Sequence, residues 1–396
     1  MTGLLVVCSY FWTLSQLQPH FPWLSWLALL IVVIRYIITL GEIDMSKFSR
    51  FTDIEAILHE DEESGLPSDR LFTEENFAAL ERIGEEQIFG QEQALNPLIA
   101  KIRANAEVPG RERPVVSAIL LGPPGTGKTT LAHAINQALF EKDQYFICVD
   151  SSQHHDYDTG SLFGSGKGYA GSDSYGSITG FLKNTGKGVI LIDEPDRVNG
   201  DPKIWNQAFL SFLNGYVNEV STQQRLKTNN TVILFASNYE HEKLGLIAER
   251  YHAVQAKMTP AELEAAIRKD VMAVLEGSVF PKAFLDRLDV IAVFTPLSKK
   301  AQVDIVMKEI FRLSEQHGIA IEHVEPDVLK AALRVGKAGE SSGARDYARW
   351  VVAHVNPALV AAKRQQAKTI KLVLGGDGTV YATITEAQDT NRARGR

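Results

Sequence analysis

Five short apolar runs alternate with segments of helical spacing between Ile83 and Phe294. The runs are residues 116–121, 145–149, 189–192, 232–235 and 290–294. Strands that alternate with helices predict a parallel sheet, because each connection between parallel strands crosses a face of the sheet. We therefore predict an α/β fold with a five-stranded parallel sheet, in a large domain that covers residues 83–295.

After Pro296 the apolar positions recur at helical spacing, and the prediction changes accordingly. Three segments show this spacing, at residues 301–313, 326–335 and 344–362. Near the end, the apolar runs 370–374 and 380–384 flank Gly375-Gly376-Asp377-Gly378, which is typical of a β-hairpin. Residues 296–396 are predicted to form a smaller, mainly helical lid domain that ends in this hairpin.

The N-terminal region has a different pattern, with Arg35 as the only charge in residues 23–40. Eighteen helical residues span ~27 Å, close to the thickness of a bilayer core, so residues 1–44 are predicted to hold a transmembrane helix. An earlier apolar run, 4–17, leaves open a single span or a helix with a short hairpin partner. Met45 leaves open a later start of the chain.

Basic residues after this apolar segment predict its orientation. Lys47 and Arg50 follow Arg35 on the same side, which by the positive-inside tendency puts the rest of the chain in the cytoplasm. Residues 45–82, with the acidic run Glu60-Asp61-Glu62-Glu63, are predicted to be a solvated linker. The expected localisation is thus the membrane, with a cytoplasmic globular part.

Composition narrows the class of protein. The chain has 396 residues, 45% of them hydrophobic, and a net charge of −7, which argues against a protein that coats nucleic acid. Its two cysteines, Cys8 and Cys148, indicate neither a disulfide framework nor a zinc site, and Cys148 is predicted to be a buried strand residue. No nucleic-acid partner is expected.

One motif carries clear chemistry and lies between the first strand and a helix at 130–140. It is Gly122-Pro123-Pro124-Gly125-Thr126-Gly127-Lys128-Thr129, which fits the phosphate-loop pattern G-x-x-x-x-G-K-[ST]. Glycines allow backbone N–H groups to approach phosphate oxygens, Lys128 reaches the outer phosphates, and the Thr129 hydroxyl can hold Mg²⁺. We predict ATP and Mg²⁺ as cofactors, with Thr130 extending the nucleotide-binding segment.

Two other strands end in polar residues that suit hydrolysis. The run 189–192 is followed by Asp193 and Glu194, the arrangement of a Walker B motif. Asp193 is predicted to hold Mg²⁺, and Glu194 to activate the attacking water. Asn238 lies three positions after the end of the run 232–235 and is expected to sense the γ-phosphate.

Together these motifs resemble the AAA+ ATPases of the Clp branch, most closely the second-ring module of ClpB-type disaggregases. The resemblance includes the segments 88–94 and 280–289 and the tripeptide Gly343-Ala344-Arg345. It implies an oligomeric ring, typically a hexamer, with nucleotide at the subunit interfaces. It also implies that Arg287 is an arginine finger for a neighbouring subunit and that Arg345 is the sensor-2 arginine of the lid.

A glycine-rich loop between the Walker motifs suggests a protein substrate. Gly168-Tyr169-Ala170-Gly171 resembles the pore loop of Clp unfoldases, with Ala where the family usually has Val. An aromatic ring there can grip an extended polypeptide; the alternative is a flexible loop whose tyrosine packs on its own domain. Leu244-Gly245-Leu246 resembles a peptidase-docking tripeptide. Residues 246–251 also resemble an ordinary helix that follows the equivalent of Asn238 in ClpB-type proteins, and we favour this interpretation.

The function expected from the sequence is a membrane-tethered Clp-like AAA+ ATPase that unfolds, threads or remodels proteins. The alternative is a torsin-like or assembly-factor switch that remodels a membrane-associated complex without threading. A DNA-acting AAA+ protein is disfavoured by the acidic charge balance and the aromatic loop.

Overall fold

The computed structural model describes residues 72–165, 175–254, 257–335 and 343–387. The predicted membrane anchor, residues 45–71 of the predicted linker and the pore-loop residues 168–171 lie outside these ranges. The rest of the predicted linker, residues 72–82, does not form a solvated segment: it contributes Phe72, Phe77 and Leu80 to the core of the large domain. Among the described residues, no helix combines the length and the apolar character that a membrane span needs.

A five-stranded parallel sheet forms the centre of the large domain, as predicted. Its strands, in chain order, are β1 (Val116–Leu121), β2 (Phe146–Asp150), β3 (Gly188–Asp193), β6 (Thr231–Ser237) and β7 (Val290–Val293). They lie in the order β2-β3-β6-β1-β7. The phosphate-loop strand β1 is therefore flanked by β6 and β7 on its two sides.

Helices cover both faces of this sheet. They are α1 (Glu74–Glu86), α2 (Glu92–Ala106), α3 (Lys128–Leu139), α4 (Gly160–Phe163), α5 (Ser177–Thr185), α6 (Pro202–Gln207), α7 (Leu210–Leu213), α8 (His241–Val254), α9 (Pro260–Leu275) and α10 (Lys282–Leu285). A two-stranded ribbon that the sequence did not predict, β4 (Tyr216–Asn218) with β5 (Arg225–Lys227), lies between α7 and β6.

Side-chain alternation along the central strands builds two separate cores. Ala118 and Leu120 of β1 join a core with Leu131 and Ile135 of α3. Ile119 and Leu121 face the other way, into an aromatic core that contains Trp205, Phe209 and Phe212. Because both faces are buried, the central strands read as continuous apolar runs, and this is why the sequence pattern located them well.

The prediction for Cys148 is wrong. This residue lies on β2, which is an edge strand of the sheet, and its side chain is exposed. On this strand only Val149 is fully buried. An apolar run on an edge strand therefore does not have to be buried on both faces.

The lid domain contains more β-structure than predicted. Its elements are α11 (Lys299–His317), β8 (Ala320–Val324), α12 (Pro326–Val335), α13 (Ala344–His354), α14 (Asn356–Arg364), β9 (Ala367–Leu374) and β10 (Val380–Ala387). β9 and β10 form the predicted hairpin, but β8 adds a parallel third strand beside β9. The sequence signal for β8 is weak, because only Val324 of this strand is buried.

The segment expected as one helix over 344–362 is two helices, α13 and α14. The first ends at His354, and Pro357 lies at the start of the second. A proline fits the first turn of a helix, where its missing N–H has no intrahelical partner anyway. The two helices pack with α11 around Tyr347, Val351 and Leu359 in the lid core.

Candidate nucleotide-hydrolysing site

The phosphate loop begins directly after β1, and its last two residues, Lys128 and Thr129, are the first two residues of α3. Gly127 is the N-cap of α3 with φ +105°, and Gly125 has φ +74°. Both angles lie in the left-handed region, which favours glycine. The loop therefore wraps around the N-terminus of α3, where free backbone N–H groups and the helix dipole favour an anion.

Lys128 is folded into this loop and is buried. Its ammonium donates to the backbone oxygens of Gly122 at 2.7 Å and Pro123 at 2.8 Å, and to Asn238 Oδ1 at 2.8 Å. Burial lowers the pKa of Lys128 to about 8, although Asp193 and other nearby carboxylates oppose the shift. The ammonium is thus held within the loop that would surround phosphate oxygens.

The Walker B carboxylates lie at the carboxyl end of β3. Asp193 is the last residue of β3 and pairs in register with Asp150 of β2. Burial raises the pKa of Asp193, and Asp150 adds to the effect. A hydroxyl and half-buried carboxylates at the carboxyl ends of the strands are the oxygen donors that Mg²⁺ prefers, so Thr129 and Asp193 fit the predicted metal ligands.

Glu194 leaves the strand in an unusual backbone conformation. Its φ is +51°, and its N–H donates to the Ala236 oxygen at 2.8 Å, which continues the β3–β6 pairing by one bond. One carboxylate oxygen, Oε1, lies 3.4 Å from Arg197 Nη1. Burial raises the pKa of this carboxyl, although Arg197 opposes the shift. A raised pKa suits a group that accepts a proton from water.

Asn238 connects the lysine of the phosphate loop to the carboxylate of Walker B. Its Oδ1 accepts from Lys128, and its Nδ2 donates to Glu194 Oε1 at 3.4 Å. The structure thus brings Lys128, Glu194 and Asn238 together from three different elements. A γ-phosphate bound at the loop would therefore lie near the ammonium of Lys128, the carboxylate of Glu194 and the amide of Asn238.

Two neighbours of this cluster were missed by the sequence analysis. Asp196 accepts a hydrogen bond from Ser237 Oγ at 2.5 Å, and the same hydroxyl accepts from Tyr239 N–H at 2.9 Å. Arg197 forms the ion pair with Glu194 described above. The charged run after Glu194 was the available signal, but sequence spacing alone does not show which of its members turn back toward the site.

The lid meets the phosphate loop through two glycines. A Cβ built on Gly125 would lie 2.5 Å from the Cα of Gly343, and Ala344 N–H donates to the Gly125 oxygen at 2.9 Å. Arg345 follows in the first turn of α13. Its positive charge adds to the lowering of the Lys128 pKa and opposes the rise of the Asp193 pKa, so the guanidinium lies near the phosphate loop of its own subunit.

Arg287 does not join this cluster. It precedes β7, and its backbone oxygen lies 3.1 Å from Ser117 Oγ near the start of β1. From Ser117 to Gly122 the strand runs for about 16 Å, at ~3.3 Å per residue. The guanidinium itself donates to the Ala283 oxygen at 2.5 Å and to Asn214 Oδ1 at 3.2 Å. Arg287 therefore lies near the amino-terminal end of β1, whereas its own phosphate loop follows the carboxyl-terminal end of that strand.

The tripeptide Leu244-Gly245-Leu246 lies inside helix α8. Leu244 and Gly245 are buried, whereas Leu246 is 68% exposed. This placement follows the helical interpretation favoured from the sequence.

A phosphate loop between a strand and a helix, with carboxylates at the end of a neighbouring strand, defines the class of phosphate-loop ATPases. Residues 113–291 match the family model of the AAA domain (Cdc48 subfamily). The matched segment contains the phosphate loop, both Walker B carboxylates, Asn238 and Arg287. The chain is accordingly an ATPase that carries an AAA domain.

Similar proteins point to the Clp branch of these ATPases. The chain is 30% identical over 306 residues to the chaperone protein ClpB of Bacillus cereus. The matched region covers 75% of this chain and 33% of that protein. It is 31% identical over 249 residues to the Clp protease ATP-binding subunit ClpC of Staphylococcus aureus, covering 61% of this chain and 30% of that protein. The chain thus spans about a third of the length of these relatives.

Proposed function

We propose that this chain is a ring-forming Clp-like AAA+ ATPase that uses ATP hydrolysis to unfold, thread or remodel protein substrates. Within one subunit, the loop 122–130 binds the triphosphate, and Thr129 and Asp193 hold Mg²⁺. The metal supplies charge neutralisation at the phosphates. Glu194 orients and deprotonates the attacking water, and Asn238 fixes Glu194 relative to the γ-phosphate.

The position of Arg287 is the observation that carries the proposal of a ring. A cation at the transferring phosphoryl group stabilises charge that develops in the transition state. Arg287 lies about 16 Å along β1 from its own phosphate loop, so it does not supply this charge in its own subunit. A neighbouring subunit's nucleotide is the site that the proposed arginine finger serves.

Arg345 completes the site from the lid. Because Ala344 donates to Gly125 in the loop, α13 begins at the phosphate loop and places Arg345 close to Lys128 and Asp193. A triphosphate adds negative charge between these groups and draws the lid arginine inward. The position of the lid therefore depends on whether the site holds ATP, and a ring motor needs such a nucleotide-dependent movement.

Two variants test the shared site in one mixing experiment. Glu194→Gln subunits lack the water-activating carboxylate but keep Arg287, whereas Arg287→Ala subunits keep their own site but lack the finger. Each variant alone is expected to be nearly inactive. Mixed rings should regain ATPase activity, because Glu194→Gln subunits supply fingers to Arg287→Ala sites. An inactive mixture that still assembles would contradict the shared site.

Protein threading rests on Tyr169, which belongs to the part of the chain outside the described residues. Tyr169→Ala is expected to retain ATPase activity and to lose the unfolding of a tagged model protein. Tyr157→Ala is the matched control, since Tyr157 is 76% exposed and precedes the same loop. Unfolding that survives Tyr169→Ala would favour the alternative function, an ATP-dependent switch that remodels a complex without threading.

The tether to a membrane is part of the proposal and rests on residues 1–44 of the sequence alone. The cytoplasmic placement of the ATPase domain rests on Arg35, Lys47 and Arg50. Fractionation of the full chain and of a chain that starts at Met45 tests both statements. We expect the full chain in the membrane fraction and the shorter chain outside it.

A further inference from the structure

Ser117 is a polar residue inside an otherwise apolar strand. It is the second residue of β1, and its accessible surface is zero. A buried hydroxyl is costly unless it is hydrogen-bonded, and this one has partners. Its Oγ donates to Asp289 Oδ2 at 2.8 Å and lies 3.1 Å from the Arg287 oxygen.

The backbone adds to this contact between Ser117 and Asp289. Ser117 N–H donates to Asp289 Oδ2 at 2.9 Å, and Asp289 N–H donates to the Ser117 oxygen at 2.8 Å. Asp289 and Ser117 thus hold each other through both backbone and side chain. We call this pair the Ser117–Asp289 clamp.

Two arginines fix the same segment from other directions. Arg113 Nη2 donates to the Arg287 oxygen at 2.6 Å. Arg268 donates to the backbone oxygens of Leu288 at 2.9 Å and of Asp289 at 3.3 Å. The backbone of residues 287–289 is therefore held at each of its carbonyl oxygens, while the Arg287 side chain extends from this fixed base over the surface.

We propose that Ser117 and Asp289 are positioning residues for Arg287, an inference that rests on the finger role proposed above. The clamp fixes the base of the finger to β1, whose other end carries the phosphate loop. The position of Arg287 relative to the neighbouring subunit's nucleotide is therefore fixed by β1. The same strand carries the phosphate loop of the subunit to which Arg287 belongs. Neither clamp residue touches substrate; both act through Arg287.

Mixed rings allow this effect to be separated from a general structural one. In the mixture described above, the Glu194→Gln subunit contributes only its finger, and the Arg287→Ala subunit contributes only its catalytic site. Ser117→Ala is placed first in the finger subunit and then, separately, in the catalytic subunit. A misplacement of about 1 Å can cost about a hundredfold in rate, so we expect a tenfold to hundredfold loss of rescued kcat in the first arrangement.

The second arrangement should retain most of the rescue, because its catalytic subunit does not use its own finger. KM for ATP should stay the same in both arrangements, since the clamp lies away from the phosphate loop. Equal losses in the two arrangements would overturn the proposal and leave Ser117 as a purely structural residue. Absence of rescue before Ser117 is changed would instead count against the shared site itself.

A matched control and a second variant complete the experiment. Thr231→Val removes another buried hydroxyl from the start of the adjacent strand β6, where it donates to the Thr228 oxygen at 2.7 Å. Placed in the finger subunit, Thr231→Val should leave the rescue of ATPase activity unchanged.

If Ser117→Ala prevents assembly, the finger subunit carries a change at Asp289 instead. Asp289→Asn keeps an oxygen acceptor for Ser117, whereas Asp289→Ala removes it. Asp289→Ala should then lose more rescue than Asp289→Asn, and equal rescue by the two would overturn the proposal.

Discussion

The backbones of Gly125 and Gly343 are in direct contact, so that a Cβ on Gly125 would lie 2.5 Å from the Gly343 Cα. Gly343 has φ −99°, which any residue can adopt. Among the described residues, the atoms nearest to a Cβ built on Gly343 belong to Gly125, with its Cα at 2.4 Å, so it is the phosphate loop that opposes a side chain here. We expect Gly343→Ala to push α13 and Arg345 away from the loop and to weaken ATP binding, measured as Kd, about tenfold or more.

Gly376→Ala is the control for that variant. Gly376 belongs to the same domain and is exposed, and no atom of the described residues lies within 4 Å of a Cβ built on it. It should change neither Kd nor Tm. If Gly343→Ala binds ATP as tightly as the unchanged chain does, the contact between lid and loop has no part in nucleotide binding.

The second prediction concerns pH and Lys128. Burial lowers the pKa of Lys128 from 10.5 to about 8, and its charged neighbours are Asp193, Asp196, Glu194 and Arg345. Since phosphates bind the charged ammonium, affinity for ATP should fall above pH 8 by at most about tenfold per pH unit. Titration of a fluorescent ATP analogue between pH 7 and about pH 10 measures this slope.

Lys128→Arg provides the comparison, because a guanidinium stays charged throughout this range. Its affinity should be weaker overall but should not fall in the same pH window. The free energy of unfolding of the nucleotide-free protein changes with pH in the opposite direction to the affinity for ATP. Between pH 8 and 10.5 the unfolded chain binds the Lys128 proton more tightly than the folded chain, so this residue makes stability rise with pH there.

The third prediction is the effect of Glu194→Gln. Glutamine keeps the shape of the side chain and its contact with Asn238, but it does not accept a proton from water. We expect ATP binding to persist and kcat to fall by about 10²- to 10⁴-fold. Glu242→Gln, on the exposed first turn of α8, should leave kcat unchanged. Normal hydrolysis by Glu194→Gln would remove Glu194 from its proposed role.

The fourth prediction concerns Glu219, a fully buried carboxylate next to β4. It accepts hydrogen bonds from Thr179 Oγ1, Gly176 N–H, Ser221 N–H and Ser221 Oγ. Burial alone would raise the pKa of Glu219, but these hydrogen bonds outweigh it and hold the pKa below its ordinary value of 4.5. Glu219→Ala leaves buried donors unpaired and should destabilise the protein by about 1–3 kcal/mol.

The pH dependence gives this prediction its sign. A depressed pKa means that Glu219 stabilises the fold above pH 4.5, and that this contribution is lost as the pH falls through the lower, folded-state value. Denaturant unfolding of the unchanged chain and of Glu219→Gln should therefore differ at pH 7, with the gap narrowing below pH 4.5. A gap that does not change with pH would show that the charge of Glu219 is not involved.

The parallel sheet was predictable because its three central strands are buried on both faces and read as apolar runs. The short strands β4, β5 and β8 were not predictable. They owe their conformation to pairing with partner strands, and the sequence does not show this pairing. The exposure of Cys148 was missed for a related reason, since strand order, and not local composition, places β2 at the edge.

The site divides in a similar way. The sequence by itself determined the phosphate loop and the acidic end of β3, because glycines, Lys128 and paired carboxylates are adjacent in the chain and their chemistry depends on local backbone. Only the tertiary structure decided that Asn238 joins Lys128 to Glu194 and that Gly343 contacts Gly125. It also decided that Arg287 lies at the end of β1 opposite the phosphate loop. These relationships connect residues far apart in sequence, and their distances follow from strand order and packing.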